Sequence, residues 1–227
     1  MRASLSRHPH WWVTGAVTGA WLVLVAGLPA FGHGHHRVSE PAQLAGWALM
    51  VFAMTVPLTL PAVRHVARNS IRSRRHWAMF LYLAAYVAVW IAFGLAVLTV
   101  TGLTREPLHQ LDERVLLIAL LMVAAVWQLT RAKRRALLAC RRTVSLPPQG
   151  RRADAACIRF GLRQAWRCVV SCWPLMLLMV VLPATVPWMA GLAIVMYAEE
   201  RTKVGRRMVR PLAALLAAAA TAVAVLG

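Results

Sequence analysis

Long apolar runs dominate this sequence and restrict the folds that the chain can adopt. They span residues 11–30, 44–63, 77–100, 115–129, 166–182, 184–198 and 211–226. A transmembrane helix needs about 20 consecutive apolar residues. In lipid every backbone polar group must find its partner inside the protein, so runs of this kind form helices. We therefore expect an all-α, polytopic transmembrane bundle of about seven spans.

Composition agrees with a membrane location. Hydrophobic residues make up 60% of the chain, charged residues only 15%, and the mean hydropathy is +0.60. Soluble domains average about 45–50% apolar and about 25% charged residues, and a chain of 227 residues has too little interior to hide the excess. These values exclude a soluble enzyme and a disordered basic tail, and they predict one integral membrane domain over residues 1–227.

The net charge of +19 is typical of nucleic-acid-binding proteins, but the positions of the charges indicate another role. Of 26 Lys and Arg residues, 23 lie in residues 1–10, 64–76, 131–167 and 199–210. These segments alternate along the chain with less basic ones, as the positive-inside rule requires for seven spans, a cytoplasmic N-terminus and an outside C-terminus.

The basic residues therefore flank the spans, where anionic lipid headgroups are their natural partners. We expect a multi-pass protein of the bacterial inner (cytoplasmic) membrane that contacts the lipid bilayer and no nucleic acid. Residues 143–155, with Pro147, Pro148 and Gly150, are the only stretch typical of a linker. The first run exceeds the 7–15 apolar residues of a signal peptide, which favours a retained helix over a cleaved one.

One predicted helix face carries four sulfur atoms. Cys168, Cys172, Met176 and Met179 fall within roughly 80° of helical arc. Soft sulfur ligands suit Cu(I), and thiolate pairs also suit zinc. Simple packing is the alternative, because Cys and Met are common buried residues.

A second face combines sulfur with proline. Met50, Met54, Pro57, Pro61 and His65 share a similar arc on the second run. Proline frees backbone carbonyls that neighbouring helices must satisfy, so we expect this face to be buried. We also expect Met54 to face Met176 in one soft-ligand ladder, with His65 more typical of an interface residue than of a ligand.

A third candidate is the short His-rich tract at His33, His35 and His36. Such tracts bind metals, although a solvated turn is the simpler alternative. If the first run were cleaved after Ala30, His33 would become the third residue of a free N-terminus, an arrangement suited to square-planar Cu(II) or Ni(II).

Catalytic patterns are weak. The sequence has no H-E-x-x-H motif, no Gly-rich phosphate-binding loop and no convincing nucleophile with a His and an acid. Glu199 and Glu200 are adjacent, so they project in different directions along a helix. We expect a protein that is not an enzyme.

Three segments resemble a known family. Residues 47–61 (WALMVFAMTVPLTLP), 128–140 (QLTRAKRRALLAC) and 161–176 (GLRQAWRCVVSCWPLM) are similar to the bacterial predicted metal-binding integral membrane proteins of unknown function, often titled copper chaperones. The resemblance covers about residues 44–204. It implies a copper ion bound by soft ligands, with Glu199 or Glu200 where the family has a Glu-Lys pair. The implied ligands are Met50, Met54, Cys140, Cys168 and Cys172.

The chain also departs from the family pattern. Val51 and Thr55 replace methionines, Ala136 and Ser171 replace cysteines, and Gln164 replaces a histidine. These departures imply either weaker metal binding or a fold kept without the activity.

We therefore expect a copper chaperone, relay or insertion factor that serves a copper-accepting membrane or extracytoplasmic protein. The alternative is a metal-free structural or assembly subunit of a membrane complex. A metal-ion transporter ranks third, since it would need polar groups through the middle of the membrane.

Overall fold

The computed structural model describes residues 11–31, 40–103, 112–181, 186–202 and 207–226, and all regular structure in these ranges is helical. A 3₁₀ turn at Arg72–Arg74 precedes the third α-helix. The all-α class is confirmed. The described α-helices are α1 (Trp11–Phe31), α2 (Glu40–Asn69), α3 (Arg75–Leu103), α4 (Glu113–Leu129), α5 (Arg131–Cys140), α6 (Arg151–Val181), α7 (Val186–Arg201) and α8 (Val209–Leu226).

Two helical segments of the described chain are long and apolar enough to cross a membrane, namely Gln43–Asn69 and Arg72–Leu103. A third span results if α4 and α5, which meet at 67°, act as one broken helix. Shorter apolar helices lie at Trp11–Gly27 and Val209–Val225. Length and composition thus establish two to three candidate spans.

The basic segment between the fourth and fifth runs is more helical than its composition indicates. Between the two helices only residues 141–150 lie outside α-helices, since α5 ends at Cys140 and α6 begins at Arg151. The Thr130 side chain accepts a hydrogen bond from the Lys133 amide at 3.2 Å and caps α5. Ala, Arg and Leu are strong helix formers, so basic residues extend both helices well beyond the apolar runs.

The chain divides into two compact units. The first unit comprises Met1–Gly94 and Arg142–Trp166, and the second comprises Leu95–Arg141 and Arg167–Gly227. In the first unit, α1, α2, α3 and the first half of α6 enclose a core that includes Val63, Met79 and Phe160. A Cβ at Gly161 would lie 2.5 Å from the Tyr82 carbonyl oxygen, so α6 approaches α3 closely because this residue is glycine.

Tryptophan indoles satisfy carbonyls that proline leaves free. Pro57 has no N–H to donate to the Ala53 carbonyl, and the Trp21 indole of α1 donates to that oxygen at 3.1 Å instead. In the second unit Pro174 leaves the Val170 carbonyl free, and the Trp127 indole of α4 donates to it at 2.9 Å. Each bond ties a kink-prone helix to its neighbour, as expected for proline in an apolar environment.

The predicted burial of the proline face of α2 is only partly correct. Met50 and Met54 are buried, but Pro57 is half-buried and Pro61 is exposed. The buried arc of α2 is centred on neighbouring positions, including Val51, Thr55 and Leu58, so that Pro61 falls at its edge. Small and β-branched residues, rather than the prolines, decide which side of α2 packs.

We expect Trp127→Phe to lower the free energy of unfolding by about 1–3 kcal/mol, because it leaves the Val170 carbonyl without its indole donor. Phenylalanine keeps an aromatic ring against Trp173, whose ring centroid lies 5.3 Å from that of Trp127. The same change should cost much less in a Pro174→Ala background, where the residue 174 amide can bond Val170. Denaturant unfolding in micelles measures this cycle, with exposed Trp166→Phe as control. Equal costs in both backgrounds would contradict the assignment.

Candidate metal centre

The second half of α6 presents the sulfur face that the spacing predicts. Cys168, Cys172, Met176 and Met179 are all buried, and Met176 is fully inaccessible. Four successive positions of one helical stripe thus carry sulfur in the interior. Soft ligands are therefore available along the length of the helix within the second unit.

A cluster of three cysteines, hereafter the thiol cluster, forms at one end of this face. The thiols of Cys168 and Cys172 share a hydrogen bond, and the Cys172 thiol lies 2.9 Å from the Cys168 carbonyl oxygen. Cys140, at the end of α5, interacts electrostatically with both. All three are buried and none forms a disulfide, and Cys140 comes from a different sequence segment than Cys168 and Cys172.

A buried ion pair adjoins the thiol cluster. Lys133 Nζ on α5 lies 2.8 Å from Glu199 Oε2 on α7, and both side chains are almost completely buried. The positive charge of Lys133 acts on the Cys172 thiol. Lys133 thus places a buried, Glu199-paired cation near the sulfur face of α6.

Two arginine-to-backbone bonds fix the helices around this pair. Arg141 Nε donates to the Glu200 carbonyl at 2.7 Å, and Arg167 Nη1 donates to the Ala139 carbonyl at 2.9 Å. They join α5 to α7 and α5 to α6, respectively. Cys140 is consequently held beside the sulfur face of α6 from two sides.

Glu200 follows the sixth apolar run and is buried beside the arginines. Burial raises the pKa of Glu200 from 4.5 to about 7, although Arg201 and Arg141 oppose that shift. Arg201 Nη2 lies 3.4 Å from Glu200 Oε1. A carboxyl group with this pKa is partly protonated near neutrality, so the total charge around Cys140 depends on pH in the physiological range.

Cys157 differs from the other cysteines. It is buried in the first unit, where burial raises the pKa of its thiol and the charges that act on it are Arg74 and Asp154. It provides a matched control for any role assigned to the thiol cluster.

Sequence reasoning missed one residue that the structure places at the site, Lys133, and two buried methionines of α7. Lys133 looked like one of many topogenic cations, yet it occupies an apolar position of α5 together with Ala136, Leu137 and Cys140, which are all buried. Met189 and Met196 share the buried face of α7 with Glu199 and Glu200. The spacing of these residues by three, four and seven positions was a usable signal.

The remaining candidates have separate locations. Met50 and Met54 are buried in the first unit, so their ladder with Met176 stays a prediction. His33, His35 and His36 lie outside the described residues. His65 Nε2 lies 2.8 Å from the Val144 carbonyl oxygen, a hydrogen bond typical of a structural histidine.

The donor set of the thiol cluster suits a soft ion. Thiols and the Met176 thioether are the ligand types that Cu(I) prefers, and zinc accepts thiolates as well. In the described part of the chain, no three His, Cys, Asp or Glu side chains converge closely enough to form a metal site of their own. Sulfur from methionine, or movement of the cysteines, would have to complete the coordination.

A sequence comparison identifies the family. The model of a family described as "PpoB2: Copper chaperone" matches residues 44–223, well over half of the chain. The chain belongs to this copper chaperone family. No curated protein and no solved structure matches it. The match confirms the resemblance noted from the sequence.

The copper chaperone match includes every residue of the thiol cluster and the Lys133–Glu199 pair, and it begins after the histidine tract. The family match therefore extends from α2 into α8 and has α5, α6 and α7 within it.

We expect Lys133→Met to lower the free energy of unfolding by about 3–5 kcal/mol, because it leaves the Glu199 carboxylate buried without its cation. The double variant Lys133→Met/Glu199→Met should recover most of this loss, since a well-packed apolar pair replaces the ion pair. Exposed Arg135→Met on the same helix is the control. Denaturant unfolding that shows equal losses for Lys133→Met and Arg135→Met would refute the structural role of the pair.

Proposed function

We propose that this protein is a membrane copper chaperone that receives Cu(I) on the thiol cluster and passes it to a partner. The supporting observation is the buried, hydrogen-bonded Cys168–Cys172 pair, on which Cys140 acts electrostatically, in the second unit of a chain from the copper chaperone family. Copper is the cargo, and zinc is the alternative cargo. Relay and insertion-factor roles use the same chemistry, and none of them requires catalysis.

Transfer along α6 follows from the order of its sulfur atoms. Thiolates bind Cu(I) more tightly than neutral thioethers do, so an ion can move between Cys172 and Met176 by exchange of one soft ligand at a time. Binding displaces protons from the cysteine thiols. Met176 and Met179 then extend the route by one further helical turn.

The family departures fit a chaperone that releases its cargo. Ser171 stands where the family has a cysteine, and its hydroxyl donates to the Cys168 carbonyl at 2.8 Å rather than offering a sulfur. Fewer strong ligands weaken binding and speed release, because a lower affinity usually reflects faster dissociation. We infer that the ion resides only briefly on this protein.

The proposed setting is the bacterial inner membrane, with seven spans and a cytoplasmic N-terminus. The distribution of basic residues supports this topology, and it places α5 and the first half of α6 on the cytoplasmic side. The thiol cluster then lies near the inner surface, where the cytosol keeps thiols reduced. The acceptor is a copper-binding protein of the membrane or of the space outside it.

A metal-free assembly subunit is the second candidate. The absence of a complete three-ligand group among the described His, Cys, Asp and Glu residues favours it, as does the close packing of the buried thiols. Under this alternative the cysteines contribute packing alone.

Cu(I) titration of the purified protein separates the two candidates. We expect Cys172→Ser to weaken Cu(I) binding more than tenfold. Changes in residues that only hydrogen-bond to a metal ligand typically weaken metal binding by about 10–100-fold, and loss of a ligand itself should cost more than the smallest of these effects. Cys157→Ser, a change in the first unit, should bind as the unchanged protein does. Metal analysis of the purified protein should also find copper. Identical titration curves for the two variants would support the metal-free subunit instead.

Labelling of introduced cysteines tests the topology. We expect Gly34→Cys to react with an impermeant maleimide added to intact spheroplasts, and Gln149→Cys to react only after the membrane is opened. The native cysteines are buried and should give little background. Labelling of position 34 from the cytoplasmic side alone would refute the seven-span arrangement.

A further inference from the structure

A cavity of about 660 Å³ lies in the second unit between α4, α5 and the start of α8. Its volume is within the range of about 300–1,000 Å³ that is usual for ligand sites. None of its lining residues belongs to the thiol cluster or to the Lys133–Glu199 pair. The cavity is therefore separate from the candidate copper site.

Three arginines give the cavity a positive charge. Arg134 comes from α5, Arg210 from the start of α8 and Arg207 from just before it, and no acidic residue is among the described residues that line the cavity. In the described part of the chain these arginines form no ion pair, since the described pairs involve Arg74, Lys133 and Arg201. Guanidinium groups bind phosphate through paired hydrogen bonds, so a phosphate-bearing anion is the expected ligand class.

Gln128 supplies a second, independent indication of a ligand. Gln128 is one of the residues that line the cavity and is only 1% exposed, yet neither Oε1 nor Nε2 has a hydrogen-bond partner among the described residues. Buried amides without partners are rare, because each unsatisfied group costs about 1–3 kcal/mol. A ligand that offers both an acceptor and a donor, such as a phosphate beside a hydroxyl, would satisfy both atoms.

The apolar lining indicates where that phosphate comes from. Leu129 and Leu138 line the cavity and are 55% and 51% exposed, respectively. They offer an apolar surface beside the arginines, as the junction of a headgroup and an acyl chain requires. Basic pockets between membrane helices on the cytoplasmic side are known to bind anionic headgroups.

We propose that this cavity is a specific site for an anionic phospholipid with a hydroxylated headgroup. Arg134, Arg207 and Arg210 bind the phosphate, Gln128 bonds the phosphate and the hydroxyl, and the acyl chains lie against Leu129 and Leu138. The site rests on the membrane location given under Proposed function and does not depend on copper binding. It differs from general attraction to the bilayer because its three arginines line one cavity together with Leu129 and Leu138.

Lipid-dependent stability of the full-length protein tests the site. The protein in neutral detergent is mixed with phosphatidylglycerol, phosphatidylcholine or inorganic phosphate, and thermal unfolding and bound lipid (by native mass spectrometry) are recorded. We expect phosphatidylglycerol to bind and to raise the Tm well above the value in phosphatidylcholine. Inorganic phosphate that gives the same stabilisation would overturn the assignment to a lipid.

Matched variants assign the effect to the cavity. Arg134→Gln/Arg207→Gln/Arg210→Gln should lower the affinity for phosphatidylglycerol at least tenfold. The control Arg131→Gln/Arg135→Gln/Arg151→Gln removes the same charge from exposed positions outside the cavity and should bind normally. Equal losses in the two triple variants would reduce the effect to net charge and overturn the site.

Gln128→Leu is a second test of the cavity that does not depend on correct folding of the arginine variant. It removes two unsatisfied atoms, so stability without lipid should be unchanged or higher, while bound phosphatidylglycerol should decrease. Undiminished lipid binding in this variant would refute the role of the amide. Cu(I) titration of the same variant should match the unchanged protein, which separates failure of this site from failure of the proposed copper function.

Discussion

The bonds from tryptophan indoles to carbonyls freed by proline hold this architecture together. An apolar helix cannot leave a carbonyl unpaired without losing several kcal/mol in lipid, and here Trp21 and Trp127 on neighbouring helices supply the missing donors to Ala53 and Val170. The second bond matters most for the site, because Val170 lies between Cys168 and Cys172. Any bend at Pro174 is thereby anchored to α4, so the sulfur face of α6 has a fixed orientation.

The buried Lys133–Glu199 ion pair is a second interaction that positions the helices of the second unit. Burying Lys133 and Glu199 brings a desolvation cost that well-packed apolar residues would avoid. We attribute the presence of this pair to the position that it gives to α5. The pair connects α5 to α7, and Arg167 connects the end of α5 to α6. Cys140 is the last residue of α5. The pair therefore helps to fix the position of Cys140 beside α6.

The sequence predicts part of this arrangement well, and the reasons for success and failure are physical. Apolar runs located all the longer helices, and helical spacing placed Cys168, Cys172 and Met176 on one buried face, since periodicity is a local property. The meeting of Cys140 with α6 depends on tertiary contacts that no local pattern contains. Pro61 was misplaced because burial of α2 follows the shape of its neighbours rather than the positions of its prolines.

A count of basic residues does not predict the surroundings of each one. On α5, Arg131 and Arg135 are exposed, Arg134 lines a cavity, and Lys133 is buried in an ion pair. Positive-inside statistics treat all four alike, although helical rotation of about 100° per residue sends neighbours to different surroundings. Lys133 alone falls on the apolar stripe with Ala136, Leu137 and Cys140. A cation on such a stripe must find a buried partner, and that requirement is what joins the basic segment of α5 to Glu199 of α7.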